Sequence, residues 1–315
     1  MHLSKPVRTI ERAFLLGTFM KTIIIAGGSG FLGKHIATAL RQLGYGVVTV
    51  SRTGAPTGNG NTVPWDALTG VVDGAHAVVN LAGTNVGGKR WSQRVRHEIL
   101  YSRINATEKI VNAIRSATKP PALINVSGTG FYGNTMTPCS EAMGAGKTFL
   151  AEVTRAWEEE AMKASTLTRV AILRLGAVLD ANEGALPRLA LPMRFGVGGP
   201  LGSGRQWFPW IHRIDAVQAF VWAIENNLAS GPYNVVAPDA ERMEDVASTL
   251  GRVLHRPSWL RVPSAVLRLL LGRQADVVLH GQLALPTRLI GAGFPFKFPN
   301  LEGALHNLYP SSRVG

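Results

Sequence analysis

One cysteine, Cys139, occurs in 315 residues. A lone cysteine excludes an internal disulfide and fits a reducing compartment. It lies between Pro138 and Ser140 with no histidine beside it, a poor setting for a nucleophile. Carboxylates are scarce too: 20 Asp and Glu stand against 33 Lys and Arg, a formal charge of +13. No long basic run accompanies that excess, because the cations are scattered along the chain. We read the charge as a solvated surface with a taste for phosphate-bearing ligands; no nucleic acid is expected. No apolar stretch reaches the length of a membrane span, so no membrane partner is expected, and no metal site is read. Internal repeats and low-complexity tracts are absent as well. What remains is ordinary globular composition, 46% hydrophobic and 17% charged. It suits one large α/β unit or two closely joined lobes.

Residues 1–20 carry Lys5, Arg8 and Arg12 and then a short apolar patch. The first core strand begins at Lys21 or Thr22, which leaves no room for a signal-peptide cleavage region. The stretch reads as a disordered N-terminal extension, with Met20-Lys21 as the natural start of a cytoplasmic protein.

The informative segment is Thr22 to Gly33. Four β-prone residues, Ile23 to Ala26, precede Gly27, Gly28, Ser29, Gly30, Phe31, Leu32 and Gly33. Leu32, Ile36, Ala39, Leu40 and Leu43 then recur at helical spacing. Strand, glycine turn and helix is the context that turns a glycine pattern into a dinucleotide site. Gly28 is assigned to the tight turn, Gly30 to the approach of a pyrophosphate, and Gly33 to close helix–strand packing. The positive end of the helix faces the phosphates.

Apolar runs at Val47–Val50, Ala77–Ala82, Ala122–Val126 and Val170–Leu175 alternate with helical stretches at Ser92–Ala117 and Phe149–Ala164. Such alternation predicts a doubly wound parallel sheet, an α/β Rossmann fold. The expected organisation is a dinucleotide-binding domain over 21–176 and a smaller, mostly helical substrate lobe over 177–315. A strand at 233–236 would return to the main sheet. The second strand ends in Ser51-Arg52, where an NAD site would place a carboxylate. A guanidinium suits a 2′-phosphate, so the expected cofactor is NADP. Asn80-Leu81-Ala82-Gly83 forms a small-residue turn beside it.

Together with Val126-Ser127-Gly128 and Tyr132-Gly133, these stretches resemble the extended short-chain dehydrogenase/reductase superfamily. Trp91, Ser102-Arg103, Leu173-Arg174-Leu175-Gly176, the glycine-rich run from Gly198 to Gly204 and Phe208-Pro209-Trp210-Ile211-His212 narrow the likeness. They are similar to the atypical "epimerase family" branch of SulA-like nucleotide-sugar epimerases and the human 39U type. The likeness covers about residues 21–308, including a family-type C-terminal segment over about 250–308. It implies that Ser51 and Arg52 grip the 2′-phosphate, Leu81 and Ala82 pass along the cofactor, and Glu98 and Arg103 reach it from the long helix. It implies a small-molecule substrate, a carbonyl compound or a nucleotide sugar.

Ordinary members move protons with a Tyr-x-x-x-Lys pair at a helix start. Here Phe149 and Val153 occupy those places, and neither can do so. Ser127 fits the serine role. Tyr132 is the candidate acid, with Lys147, Glu152 and His212 as further replacements. Arg188, Arg194 and Arg205, with Trp207 and Trp210, suit either an anionic substrate or the interface of a homodimer. The sequence therefore leaves two readings open: an NADP-dependent oxidoreductase or epimerase-like enzyme, and a non-catalytic NADP(H)-binding redox sensor or assembly protein.

Overall fold

The computed structural model describes residues 20–52 and 61–310. The expected extension lies outside the described residues except for Met20. Seven strands form the main sheet: β1 (Thr22–Ala26), β2 (Gly46–Ser51), β3 (Asn61–Pro64), β4 (Ala77–Asn80), β5 (Ala122–Gly128), β6 (Val170–Leu175) and β7 (Gly231–Val235). Their order is β3-β2-β1-β4-β5-β6-β7, and every neighbouring pair is parallel.

The alternation of β1 explains the two-sided packing. Ile23 and Ile25 enter one core with Ile36 and Leu40 of helix α1 (Phe31–Gln42). Ile24 and Ala26 enter the opposite core with Ile110 and Ile114 of α2 (Gln93–Ser116) and Ala161 of α3 (Phe149–Met162). Helix α4 (Arg213–Glu225) lies beside α1 and supplies Phe220 to the first core. Helices on both faces of a parallel sheet make a doubly wound Rossmann-type fold. The strand order reverses between β1 and β4, which opens a crevice beyond their carboxyl ends.

Strand β3 has no counterpart in the sequence reading, which passes from Val50 to Ala77. It is four residues long, closes with Pro64 and lies at the sheet edge beside β2. An edge tolerates proline because one side of the ladder needs no donor.

The C-terminal residues build a third core in which Leu186, Met193, Val246, Leu250, Leu301 and Leu305 meet. Helix α5 (Met243–Leu254) supplies Val246, Leu250 and Val253 to it. Short strand pairs order the C-terminal residues, and one of them reaches the segment that follows β5. Trp210–His212 pairs with Ala177–Leu179, Trp207–Phe208 with Glu241–Arg242, and Gln282–Ala284 with Thr135–Cys139. Among the described residues no helix is long and apolar enough to cross a membrane.

Candidate cofactor and substrate site

The glycine loop leaves its helix uncapped. Ser92 and Thr148 cap α2 and α3 by accepting from Val95 N–H and Ala151 N–H. At α1 the capping position is Gly30, with no side-chain partner and no acidic residue in the first turn. Its first N–H groups are left to an anion from outside the chain. The tight turn opens at Gly27, at φ 84°, and Gly28 follows inside it, where Gly30 N–H closes the turn on the Gly27 carbonyl. A β-carbon on Gly28 would lie 2.6 Å from the Thr49 methyl. One on Gly33 would lie 2.4 Å from the Gly27 carbonyl oxygen, so only glycine lets α1 start this close to the turn. Gly30 would meet only the Gly27 oxygen, at 3.3 Å, and it is exposed together with Ser29. Phe31 and Leu32 complete the loop, half-buried at the first turn of α1. A cradle of this shape fits a dinucleotide pyrophosphate.

The turn after β4 comes against this loop, since a β-carbon on Gly27 would lie 3.0 Å from the Leu81 carbonyl. Leu81 N–H donates to Ala26 carbonyl, and Ala82 N–H donates to the Asn80 side chain. Asn80 in turn donates to Thr107 and Asn125, so a buried amide fixes the turn. Arg103 donates to the carbonyls of Thr84 and Ile99 and packs against Gly83. Burial lowers its pKa to about 10. Glu98 accepts from the Thr84 hydroxyl at 3.2 Å. Glu98 and Arg103 thus converge on one residue of the loop, Thr84, which is how two side chains five positions apart come to share a target. Ser51 ends β2 and the exposed Arg52 follows it at the same edge.

Beyond β5 and β6 lies a cavity of about 290 Å³. Its walls are Val86, Trp91, Phe149, Leu150, Leu175, Phe208 and Val277 among other apolar groups, and no lysine or arginine lines it. Thr129, Thr148 and Trp207 each bring to its wall a side-chain donor with no acceptor among the described residues. Thr129 is 4% exposed and accepts from the Gln282 amide at 2.8 Å, while its own proton goes to no acceptor among the described residues. Trp207 presents a buried indole N–H without a partner. Asp276 and His280 are the wall residues that can exchange protons, and they lie 3.6 Å apart. The sequence reading passed over Thr129, Gln282, Asp276 and His280. Thr129 carried one signal, its place between Gly128 and Gly130 at the end of a strand; the other three carried none.

Ser127 and Tyr132 are elsewhere. Ser127 donates to Glu158 at 2.6 Å, and Glu158 is held in two bonds by Arg174, at 2.9 and 2.7 Å. Arg174 also donates to the Tyr132 oxygen at 2.9 Å and lies 3.5 Å above the Phe131 ring. Tyr132 donates onward to Asn234 at 2.7 Å. Burial raises the Tyr132 pKa, against the pull of Arg174. Neither Ser127 nor Tyr132 lines the cavity. Both hydroxyls are spent inside the core, so the geometry corrects the expectation that they meet a substrate.

The other expected groups divide similarly. His212 is buried and caps α4 through Nδ1, which accepts from Ile214 N–H. Burial and the adjacent Arg213 lower its pKa to about 4, so it is neutral and unfit as an acid at neutral pH. Lys147 and Glu152 are exposed, and neither lines the cavity. Cys139 is buried with its thiol pKa raised by burial, opposite to what a nucleophile needs. Of the arginine and tryptophan wall only Trp207 lines the cavity. Arg188 donates to Gly87 carbonyl, Arg194 lies over Tyr309, Arg205 is exposed, and Trp210 is bonded to Asp239 carbonyl.

A parallel sheet, a glycine-cradled helix start and a cavity beyond β5 and β6 define a nucleotide-binding Rossmann protein of the short-chain dehydrogenase/reductase type. The chain belongs to the NAD dependent epimerase/dehydratase family, whose model matches residues 23–236. A domain of unknown function, DUF1731, matches residues 262–308. The chain is 38% identical to the chloroplastic epimerase family protein SDR39U1 homolog of Arabidopsis thaliana, over 90% of this chain and 85% of that one. It is 37% identical to the epimerase family protein YfhF of Bacillus subtilis, over 91% of this chain and 97% of the relative. The crystal structure of human epimerase family protein SDR39U1 with NADPH superposes with a TM-score of 0.87 at 34% identity. That match covers 92% of this chain and 99% of the human one. These relatives mark the atypical extended branch.

Proposed function

We propose that this protein binds NADP(H) in the crevice between β1 and β4 and acts as an oxidoreductase, or an epimerase-like enzyme, on a small carbonyl substrate. The observation that carries the reading is the Thr129 hydroxyl, buried at the cavity wall with its proton unspent. The cradle supports the cofactor, as does the human relative, which was crystallised with NADPH. Gly27 to Gly33 and the N–H groups of α1 would hold the pyrophosphate. Leu81, Ala82 and Gly83 would line its path, and Ser51 and Arg52 would meet the 2′-phosphate. The bound cofactor supplies the hydride. Thr129 donates to the substrate oxygen and orients the carbonyl. His280, beside Asp276, moves the proton that Phe149 and Val153 cannot. The apolar walls exclude water from the reacting carbon. The buried lone cysteine supports a cytoplasmic setting.

A second reading, a cofactor-binding protein without turnover, has its own support: Ser127 and Tyr132 are both spent within the core. Thermal unfolding with NADP(H) and NAD(H) tests the cofactor, because a ligand bound only by the folded state raises Tm. NADP(H) is expected to shift it more. Arg52→Ala is expected to lose about 1.5–3 kcal/mol of that preference, roughly tenfold to a hundredfold in affinity. NADPH oxidation across a panel of carbonyl compounds tests turnover. His280→Gln should lower kcat with little change in KM. An unaltered rate removes His280 from the mechanism, and a Tm shift without oxidation of NADPH by any carbonyl favours the second reading.

A further inference from the structure

Trp91 lines a second cleft as well, together with Gln93, Arg96 and Arg273. Arg96 lies 4.2 Å over the Phe149 ring, and Phe149 belongs to the cavity wall. Trp91 and Phe149, in edge contact with each other, thus stand between an apolar chamber and a cationic one. Neither Arg96 nor Arg273 makes an ion pair with any described residue, and the buried Nε of Arg96 has no hydrogen-bond partner. Lys89, Arg90 and Arg94 flank Trp91 in sequence and are exposed.

The two chambers ask for different chemistry. A sugar in the first would strand many of its hydroxyls, since that wall is mostly apolar and its unspent side-chain donors are Thr129, Thr148 and Trp207. A diphosphate would find no lysine or arginine among the described residues of that wall. An apolar body with one acceptor oxygen fits instead. The second chamber offers two unpaired guanidiniums, whose planar forks match carboxylate or phosphate oxygens.

We infer that the site takes an amphipathic anion: a compact apolar body whose oxygen is held by Thr129, joined to a carboxylate or phosphate held by Arg96 and Arg273. This rests on the proposal that the cavity is the substrate site. It replaces the nucleotide sugar with a different class of substrate. The net charge of the chain favours approach of such an anion.

The test is calorimetric binding to the full chain, with and without saturating NADP+. The probes are 4-oxo-4-phenylbutanoate, its neutral methyl ester, phenacyl phosphate and UDP-glucose. At least one of the two anions is expected to bind about tenfold or more tighter than the ester, consistent with one charge-assisted pair. The stronger of the carboxylate and the phosphate identifies the natural head group. Arg96→Gln and Arg273→Gln should each reduce the gap between anion and ester. Arg273→Lys should keep part of it, which a merely structural role would not require. Thr129→Val should weaken anion and ester by the same factor. Equal binding of anions and ester, a gap that survives both glutamine variants, tighter binding of UDP-glucose, or no binding of anion or ester at millimolar concentration overturns the inference. Absence of a Tm shift with NADP+ sinks the cofactor reading alone, because the probe series without NADP+ still reports on the two chambers.

Discussion

Ser127 and Thr129 are two residues apart at the end of β5, each a hydroxyl and each 4% exposed. Ser127 gives its proton to Glu158, inside a network that runs through Arg174 and Tyr132 to Asn234. Thr129 receives a hydrogen bond from Gln282 and keeps its own proton for the cavity. Both are aliphatic hydroxyls of equal burial, and the difference lies in what each partner leaves unspent. A buried hydroxyl is chemically available only where the fold has not already used it. The network fixes β5, β6, β7 and α3 to one another, and the cavity lies beyond that fixed floor.

Breaking the network should have the largest effect. Arg174→Met leaves Glu158 charged and unpaired in the core, and the loss of stability should be about 3–5 kcal/mol. Urea unfolding measures it, and a loss below about 1 kcal/mol would show that solvent reaches Glu158. The two hydroxyls then separate on different readouts. Ser127→Ala should cost about 1–3 kcal/mol in unfolding and leave probe affinity unchanged. Thr129→Val leaves the Gln282 amide without an acceptor, a similar cost in stability, but it should also weaken every carbonyl probe. If both substitutions move probe binding equally, the distinction between spent and unspent hydroxyls fails.

The same distinction explains how far the sequence could be read. The glycine loop was legible because its reasons are steric and local: strand, turn and helix start lie within a dozen residues. Even there the pattern alone does not show that the positive φ falls on Gly27, one residue ahead of Gly28 in the same turn. Sheet and helices were legible from periodicity, and β3 escaped because an edge strand ending in proline has no apolar run to show. The substrate site was far less legible. Gln282, Asp276 and His280 reach Thr129's cavity from more than 140 residues away, and no local pattern marks them. Arg174 stood in a recognised motif, yet its partners Glu158 and Tyr132 become visible only when β5, β6 and α3 are packed together. Ser127 and Tyr132 were chosen by residue type, and type says nothing about whether a proton is already given away.

The smallest effect is the share of the pH dependence carried by two titratable groups on opposite sides of that distinction. His212 has spent Nδ1 on the α4 cap; burial and Arg213 push its pKa from 6.5 to about 4, while Asn307 and Asp180 pull upward and Lys297 downward. Glu241 has no ion pair among the described residues; burial, Asp239 and Asp245 push it from 4.5 to about 7, against Arg252. Between about 4 and 6.5 the unfolded chain takes up a proton that folded His212 refuses, so this contribution is complete above 6.5 and lost as pH falls. Between 4.5 and about 7 the unfolded chain releases a proton that folded Glu241 keeps, so that contribution is complete below 4.5 and lost as pH rises. The two slopes oppose each other in the wild type. His212→Asn, which keeps an acceptor for Ile214 N–H, should tilt the Tm profile downward relative to wild type as pH rises through this window. Glu241→Gln should tilt it upward. A wild-type profile steeper than both variants would mean that neither group holds the protonation state its surroundings impose, and that burial here is shallower than the spent cap at His212 requires.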